Sequence, residues 1–84
     1  MYTSISLFAS GGIGDLALRS NNINVLVANE LLEDRASLFR YNFPETEMIS
    51  GDIWEKSELI ISQTRKLLKG RELDFFLATP PCQG

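Results

Sequence analysis

Residues 73–84 read Leu-Asp-Phe-Phe-Leu-Ala-Thr-Pro-Pro-Cys-Gln-Gly. An apolar run leads into two prolines and then into the one cysteine of the chain. The pattern predicts a strand over residues 73–78 that ends in a stiff loop presenting the Cys82 thiol. Such a thiol can act as a nucleophile once it is deprotonated. The alternative is a small buried hydrophobic residue, which is the commonest fate of a lone free cysteine.

Three further strands precede this stretch, and a helix follows each of them. Apolar or alternating runs predict strands over residues 3–8, 23–28 and 47–50. The first helix, residues 15–19, ends at asparagines that tolerate a left-handed backbone, residues 21–22. One apolar face is predicted for the second helix, made of Leu32, Ala36, Phe39 and Phe43. The third helix follows Gly51-Asp52 and ends at Gly70. One face of this helix is predicted to comprise Ile53, Ile60, Thr64, Leu67 and Leu68.

This alternation predicts an α/β fold with a parallel sheet and helices on its faces. Right-handed crossovers place the first three strands side by side, and the long third helix returns the fourth strand to the other side of the first. The predicted order is therefore 3-2-1-4, the first half of a doubly wound sheet. Ligands in such sheets bind beyond the carboxyl ends of the strands, at the switch point between strands 1 and 4. The fourth strand is expected to be an apolar edge that further strands would cover.

Composition and charge exclude several classes of protein. No apolar run approaches the roughly 20 residues of a membrane span, and the N-terminus lacks the basic region of a signal peptide. We therefore expect a cytoplasmic protein with no membrane partner. One cysteine and no histidine predict no metal site. A net charge of −3 argues against this segment alone gripping a phosphate backbone.

The loops at the carboxyl ends of the strands carry the candidate site residues. Residues 12–17 fit the dinucleotide-binding pattern G-x-G-x-x-A, although a tight turn without a ligand would also explain them. Glu30 can accept ribose hydroxyls, or it can be a solvated acid at a helix start. Asp52 can accept a hydrogen bond from an adenine amino group, with Ile53 or Trp54 against the ring. Alternatively, Asp52 caps the third helix, and Trp54 covers the sheet.

Together these loops resemble the N-terminal part of the DNA (cytosine-5)-methyltransferases. The family's Phe-x-Gly-x-Gly-type loop is matched by residues 7–14 and its Asn-Glu by residues 29–30. Its helix end, Tyr-x-x-Asn-Phe or similar, corresponds to residues 41–44. Its Gly-Asp-Ile is matched by residues 51–53 and its Pro-Cys-Gln motif by residues 80–84. The matches occur in the family's order along the whole chain. One departure is Ser10, which stands where the family often has glycine.

The resemblance implies a Rossmann-like, S-adenosyl-L-methionine-dependent methyltransferase fold, of which residues 1–84 would be an incomplete N-terminal portion. It also implies that Cys82 attacks C6 of a cytosine flipped out of double-stranded DNA. Phe8 and residues 9–14 would surround the amino-acid end of the cofactor. Glu30 would bind the ribose, and Asp52 would bind the adenine amino group. The full set of implied cofactor-binding residues is Phe8, Ala9, Ser10, Gly11, Gly12, Ile13, Gly14, Asn29, Glu30, Asp52, Ile53 and Pro80.

Several motifs of this family do not occur in the 84 residues, among them Glu-Asn-Val, Arg-x-Arg and the target-recognition region. We therefore expect the chain to be inactive alone and to need the remainder of the same chain or a C-terminal partner chain. Two alternatives stay open. One is an NAD- or FAD-binding module, favoured by the glycine pattern and Glu30. The other is a non-catalytic partner subunit.

Overall fold

A computed structural model describes residues 2–8 and 19–78 of the chain. Four strands and two helices follow one another in the predicted alternation. They are β1 (Tyr2–Leu7), β2 (Ile23–Glu30), α1 (Glu33–Asn42), β3 (Glu47–Ser50), α2 (Ile53–Leu68) and β4 (Phe75–Ala78). Residues 19–20 are helical, so the predicted first helix, residues 15–19, extends one residue further than predicted, and its residues 15–18 lie outside the described part. The predicted α/β class is confirmed.

The sheet has the order β3-β2-β1-β4, and all three pairs of neighbouring strands are parallel. The predicted order is therefore confirmed. Leu7 lies opposite Asn29 on one side and Ala78 on the other, whereas Glu30 lies opposite Ser50. This register brings the carboxyl ends of the four strands to one edge of the sheet, which the switch-point argument requires. We call it the carboxyl edge.

The two helices cover opposite faces of the sheet. Met48 and Ile49 are consecutive residues of β3, so their side chains point to opposite faces. Met48 belongs to the buried cluster with α1, which comprises Ala28, Ala36, Phe39, Phe43 and Met48. Ile49 belongs to the buried cluster with α2, which comprises Ile5, Leu7, Leu26, Val27, Ile49, Ile60 and Leu68. The sheet is therefore buried on both faces around β2, as is usual in α/β proteins.

The predicted helix faces are confirmed with one exception. Ala36, Phe39 and Phe43 are buried beside α1. Leu32 was predicted to share this face, but that prediction is wrong, because its side chain is 45% exposed. The reason is that Leu32 is the N-cap residue of α1 with extended backbone angles, so helical periodicity does not apply to it. On α2, the buried residues are Ile60, Thr64 and Leu68, and Ile53 and Leu67 pack against the same cluster.

Left-handed residues end the first predicted helix and α2, as their sequences indicate. Asn22 has a φ of 62°, and its N–H donates to the Arg19 carbonyl over 3.1 Å. Gly70 follows the C-cap of α2 with a φ of 87°, although Lys69 already adopts a φ of 54°. Asparagine and glycine pay little for this conformation. Both predicted helix ends are therefore confirmed.

The strand β4 begins two residues later than predicted and forms an edge of the described sheet. Asp74 lies before it and is joined to Thr3 in both directions. The Thr3 N–H donates to Asp74 Oδ2 over 2.9 Å, and the Asp74 N–H donates to the Thr3 carbonyl over 3.1 Å. Phe75 and Phe76 are exposed, and Phe75 meets Tyr2 edge-to-face at 5.7 Å between ring centroids.

Candidate functional site

The carboxyl edge brings together several residues that the sequence singled out. Glu30 is the last residue of β2, and Gly51 follows the last residue of β3. The Gly51 N–H donates to the Glu30 carbonyl over 2.9 Å, so the start of the Gly51–Asp52 turn lies against the end of β2. The predicted site residues 9–14, Pro80 and Cys82 lie outside the described residues, and their roles stay predictions.

Glu30 is buried at this edge, with an exposed fraction of 6%. Its carboxylate Oε2 accepts a hydrogen bond from the Leu32 N–H over 2.9 Å, at the start of α1. The acid is therefore not solvated, although it does bind a helix-start amide. Burying a carboxylate costs free energy unless it is hydrogen-bonded. The hydrogen bond to the Leu32 N–H also fixes the orientation of the Glu30 carboxylate. Such a carboxylate is suited to accepting hydroxyl groups from a ligand.

Asn29 lies directly before Glu30 and has an exposed fraction of 1%. Its Nδ2 donates to the Ile49 carbonyl over 2.8 Å and to the Gly51 carbonyl over 3.1 Å. Both carbonyls belong to β3 or to the turn after it. Asn29 therefore connects the end of β2 to the Gly51–Asp52 turn from within the protein.

Asp52 is the N-cap residue of α2, and its Oδ1 accepts a hydrogen bond from the Trp54 N–H over 3.1 Å. The predicted capping role is thereby confirmed. No partner is bound to Oδ2 among the residues that the structure describes. Gly51 gives the turn its shape with a φ of 124°, a conformation that side chains disfavour. One carboxylate oxygen thus serves the helix while the other can accept a further donor.

Apolar side chains lie beside these carboxylates. Ile53 is half-buried and packs on the α2 cluster. Trp54 is 83% exposed, so the alternative in which it covers the sheet is wrong. Leu31 is 60% exposed and was not singled out from the sequence. Its signal was an apolar residue between a strand end and a helix start, where polar residues are common.

Phe8 follows β1 at the same edge with a φ of 57°, which is uncommon for a residue other than glycine. Its ring is partly buried and packs against the buried cluster with α2. Backbone conformations of this kind tend to occur at binding sites.

A charged group flanks the edge next to β3. Arg40 Nη1 lies 2.6 Å from Glu33 Oε1, and Arg40 Nη2 donates to Ser50 Oγ over 3.4 Å. The hydrogen bond from Ser50, and then the hydrogen bond and charge of Arg40, hold the pKa of Glu33 below its ordinary value of 4.5. These three residues were not predicted, because Glu33 and Arg40 belong to α1 and meet Ser50 of β3 only through packing. They tie α1 to the end of β3.

A cavity of about 230 Å³ lies elsewhere, at the amino end of β2. Its lining includes Ile23, Asn24 and Val25, which begin that strand, and Phe43, over whose ring Arg19 lies at 5.0 Å. Glu30 ends the same strand, so the cavity and the carboxyl edge are at opposite ends of the sheet. Within the described ranges, no helix is long and apolar enough to cross a membrane.

Comparisons with known proteins identify the family. Residues 2–84 match the model of the C-5 cytosine-specific DNA methylases. The Type II methyltransferase M1.HgaI of Avibacterium volantium is 39% identical over 80 residues, which are 95% of this chain and 22% of that protein. The Type II methyltransferase M.AquIA of Picosynechococcus sp. is 32% identical over 79 residues, which are 94% of this chain and 32% of that protein.

A solved structure agrees with these relatives. It is a crystal structure from E. coli, described as a DNA modification methyltransferase encoded within a prophage. The match covers 100% of this chain and 24% of that one, with a TM-score of 0.79 and 25% sequence identity. The chain thus spans between about a fifth and a third of the length of these relatives. The family model covers nearly the whole chain, residues 2–84, and the chain therefore belongs to the C-5 cytosine-specific DNA methylase family.

Proposed function

We propose that this chain forms the cofactor-binding and nucleophile-bearing part of a DNA (cytosine-5)-methyltransferase that uses S-adenosyl-L-methionine. The observation that carries the proposal is the hydrogen bond from the Gly51 N–H to the Glu30 carbonyl. It holds the ends of two neighbouring strands together, each beside a carboxylate, Glu30 or Asp52. Membership of the methylase family supplies the reaction class.

The donors and acceptors of the edge fit an adenosyl group. Glu30 would accept the ribose hydroxyls, and Asp52 Oδ2 would accept the adenine amino group. Ile53 and Trp54 offer apolar surface for the flat base. Phe8, residues 9–14 and Pro80 would surround the amino-acid end. S-Adenosylmethionine supplies an activated methyl group when it is bound.

The nucleophile of the proposed reaction is Cys82. Its thiolate would add to C6 of the target cytosine and form a carbon–sulfur bond, which makes C5 electron-rich enough to accept the methyl group, with S-adenosylhomocysteine as the leaving group. Loss of the C5 proton then returns the electron pair to the ring and expels the thiolate. The cytosine must first leave the base stack, since its ring face is blocked while stacked. Cys82 thus provides covalent catalysis, and the edge provides orientation.

The remaining functions of the enzyme are assigned to residues beyond these 84. A net charge of −3 is unsuited to holding double-stranded DNA, which requires clustered lysine and arginine. The family's later motifs, which would help to protonate the ring and recognise the target, do not occur in the sequence. The chain alone is therefore expected to be inactive. Two relatives are Type II methyltransferases, which favours a role in restriction-modification.

Ligand binding tests the proposal. The intact enzyme, meaning these residues together with those that complete the methyltransferase, is titrated with S-adenosylhomocysteine and with NAD. We expect binding of the first, weakened about tenfold or more in Glu30→Gln because a charged acceptor is lost. Glu58→Gln, an exposed acid on α2, is the matched control and should bind as the parent does. Tight NAD binding without a response to S-adenosylhomocysteine would instead support a dinucleotide module.

A further inference from the structure

We infer that Asn29 is a positioning residue, which sets the Asp52 carboxylate relative to Glu30 without itself contacting the cofactor. This inference rests on the proposed function, because it gives the two carboxylates a common ligand. It departs from the cofactor contact that the family resemblance implies for Asn29.

The Asn29 amide is directed into the protein. Its side chain is 1% exposed, and Nδ2 donates to two carbonyls, those of Ile49 at 2.8 Å and Gly51 at 3.1 Å. An asparagine amide nitrogen carries two N–H groups, so both are used. Asn29 therefore has no amide donor left for a ligand, because both are committed to β3 and the turn that follows it.

The contact between Asn29 and Gly51 lies outside the regular sheet. Ser50 is the last residue of β3, and the bond from the Gly51 N–H to the Glu30 carbonyl completes its parallel pairing with Glu30. Consecutive residues of β2 thus hold both sides of Gly51. The Glu30 carbonyl accepts from the Gly51 N–H, and Asn29 Nδ2 donates to the Gly51 carbonyl. Both polar groups of Gly51 are thereby fixed by the end of β2.

This arrangement places Asp52. The Gly51 carbonyl belongs to the peptide bond that joins Gly51 to Asp52, and this bond is planar. A hydrogen bond to that carbonyl therefore orients the Asp52 backbone as well. Asp52 in turn begins α2 as its N-cap residue. Loss of the Asn29 donors should let the Asp52 carboxylate shift relative to Glu30, so that one ligand can no longer satisfy both acids.

The preference for a ligand with the adenine amino group distinguishes a positioning role of Asn29 from a general loss of stability. The probes are S-adenosylhomocysteine and its analogue with purine in place of adenine, which lacks the 6-amino group. In the intact enzyme we expect the adenine compound to bind about tenfold or more tightly, as a hydrogen bond to a charged group predicts. In Asn29→Asp, which keeps the shape and removes both donors, this preference should fall to about threefold or less.

Two further variants keep the test decisive. Asn29→Ala replaces Asn29→Asp if the buried acid prevents folding, and the same loss of preference is expected. Thr3→Val is the matched control, since Thr3 is also buried and its Oγ1 bonds the Glu72 carbonyl near the amino end of the sheet. It should lower the melting temperature and leave the preference unchanged.

The outcomes are distinct. A foldable Asn29 variant that keeps the full preference would overturn the inference, as would equal weakening of both ligands with the preference intact. Equal binding of both ligands by the parent enzyme would overturn it too, because Asp52 would then not read the amino group. Failure of the parent enzyme to bind S-adenosylhomocysteine at all would overturn the proposed function itself.

Discussion

Gly51 and Glu30 are joined by a hydrogen bond of 2.9 Å from the glycine N–H to the glutamate carbonyl. The contact lies one residue beyond the end of β3, where the chain turns towards α2. It holds the end of β2 against the turn that leads into α2. The proposed adenosyl site lies at this junction, with Glu30 on one side and Asp52 on the other.

Substitution of Gly51 should damage both the fold and ligand binding. Gly51 has a φ of 124°, and an added Cβ would lie 2.9 Å from Lys56 Cε. The lysine can move, but the backbone strain remains, so Gly51→Ala should lower the free energy of unfolding by about 1–3 kcal/mol. It should also weaken S-adenosylhomocysteine binding, as measured by titration calorimetry.

Gly70→Ala is the matched control for this variant. Gly70 also has a positive φ, 87°, but an added Cβ would meet nothing within 4 Å. The stability loss should be similar, whereas the affinity for the ligand should not change. Equal effects of the two substitutions on affinity would show that the Gly51 turn has no special part in binding.

The two roles of Asp52 can be separated by one pair of substitutions. Asp52→Ala removes the cap of α2 and should cost about 0.5–2 kcal/mol of stability. Asp52→Ser keeps a side-chain oxygen that can cap the helix, so its stability should stay close to that of the parent. Both should lose the preference for adenine over purine ligands. If Asp52→Ser keeps this preference, the Asp52 carboxylate does not read the adenine amino group.

Glu33 should make stability depend on pH in the acid range. Its folded-state pKa is lowered, first by the hydrogen bond from Ser50 and then by Arg40. A lowered pKa means that the stabilisation is present above the unfolded value, near 4.5, and is lost as the pH falls through the folded value. The effect should be small, because Glu33 is exposed and solvent screens the pair.

Denaturant unfolding of the parent and of Glu33→Gln checks this sign. The parent should be the more stable above pH 4.5, and the difference should shrink as the pH is lowered. Ser50→Ala removes the main cause and should reduce the same difference. A gap that widens towards acid pH would contradict the assignment.

Much of the fold follows from local sequence signals. Alternating runs and helix caps place the four strands and two described helices, and the right-handed crossover rule gives the order 3-2-1-4. The caps at Asn22 and Asp52 are local as well, since each depends on its own backbone and near neighbours. Leu32 was misplaced because one residue separates the extended chain from the helix at its N-cap.

The site was harder to predict, because its contacts join distant residues. The sequence indicates that Glu30 and Asp52 follow neighbouring strands, but not that Asn29 bonds a carbonyl 22 residues away. The contacts among Glu33, Arg40 and Ser50 likewise require the packing of α1 beside β3. Periodicity and caps contain no information about such pairs. The sequence thus predicts which edge is the site, whereas its internal bonds need the structure.

Cys82 is proposed to be the nucleophile of a cytosine methyltransferase, and covalent trapping of the enzyme on DNA tests this role. The intact enzyme is incubated with S-adenosylmethionine and target DNA that contains 5-fluorocytosine, in which the fluorine blocks release of the thiol. We expect a protein–DNA adduct resistant to denaturation, with the DNA attached at Cys82 by peptide mass spectrometry. Cys82→Ser should give no adduct and no methyl transfer. An adduct at another residue, or methyl transfer that survives Cys82→Ser, would contradict the account.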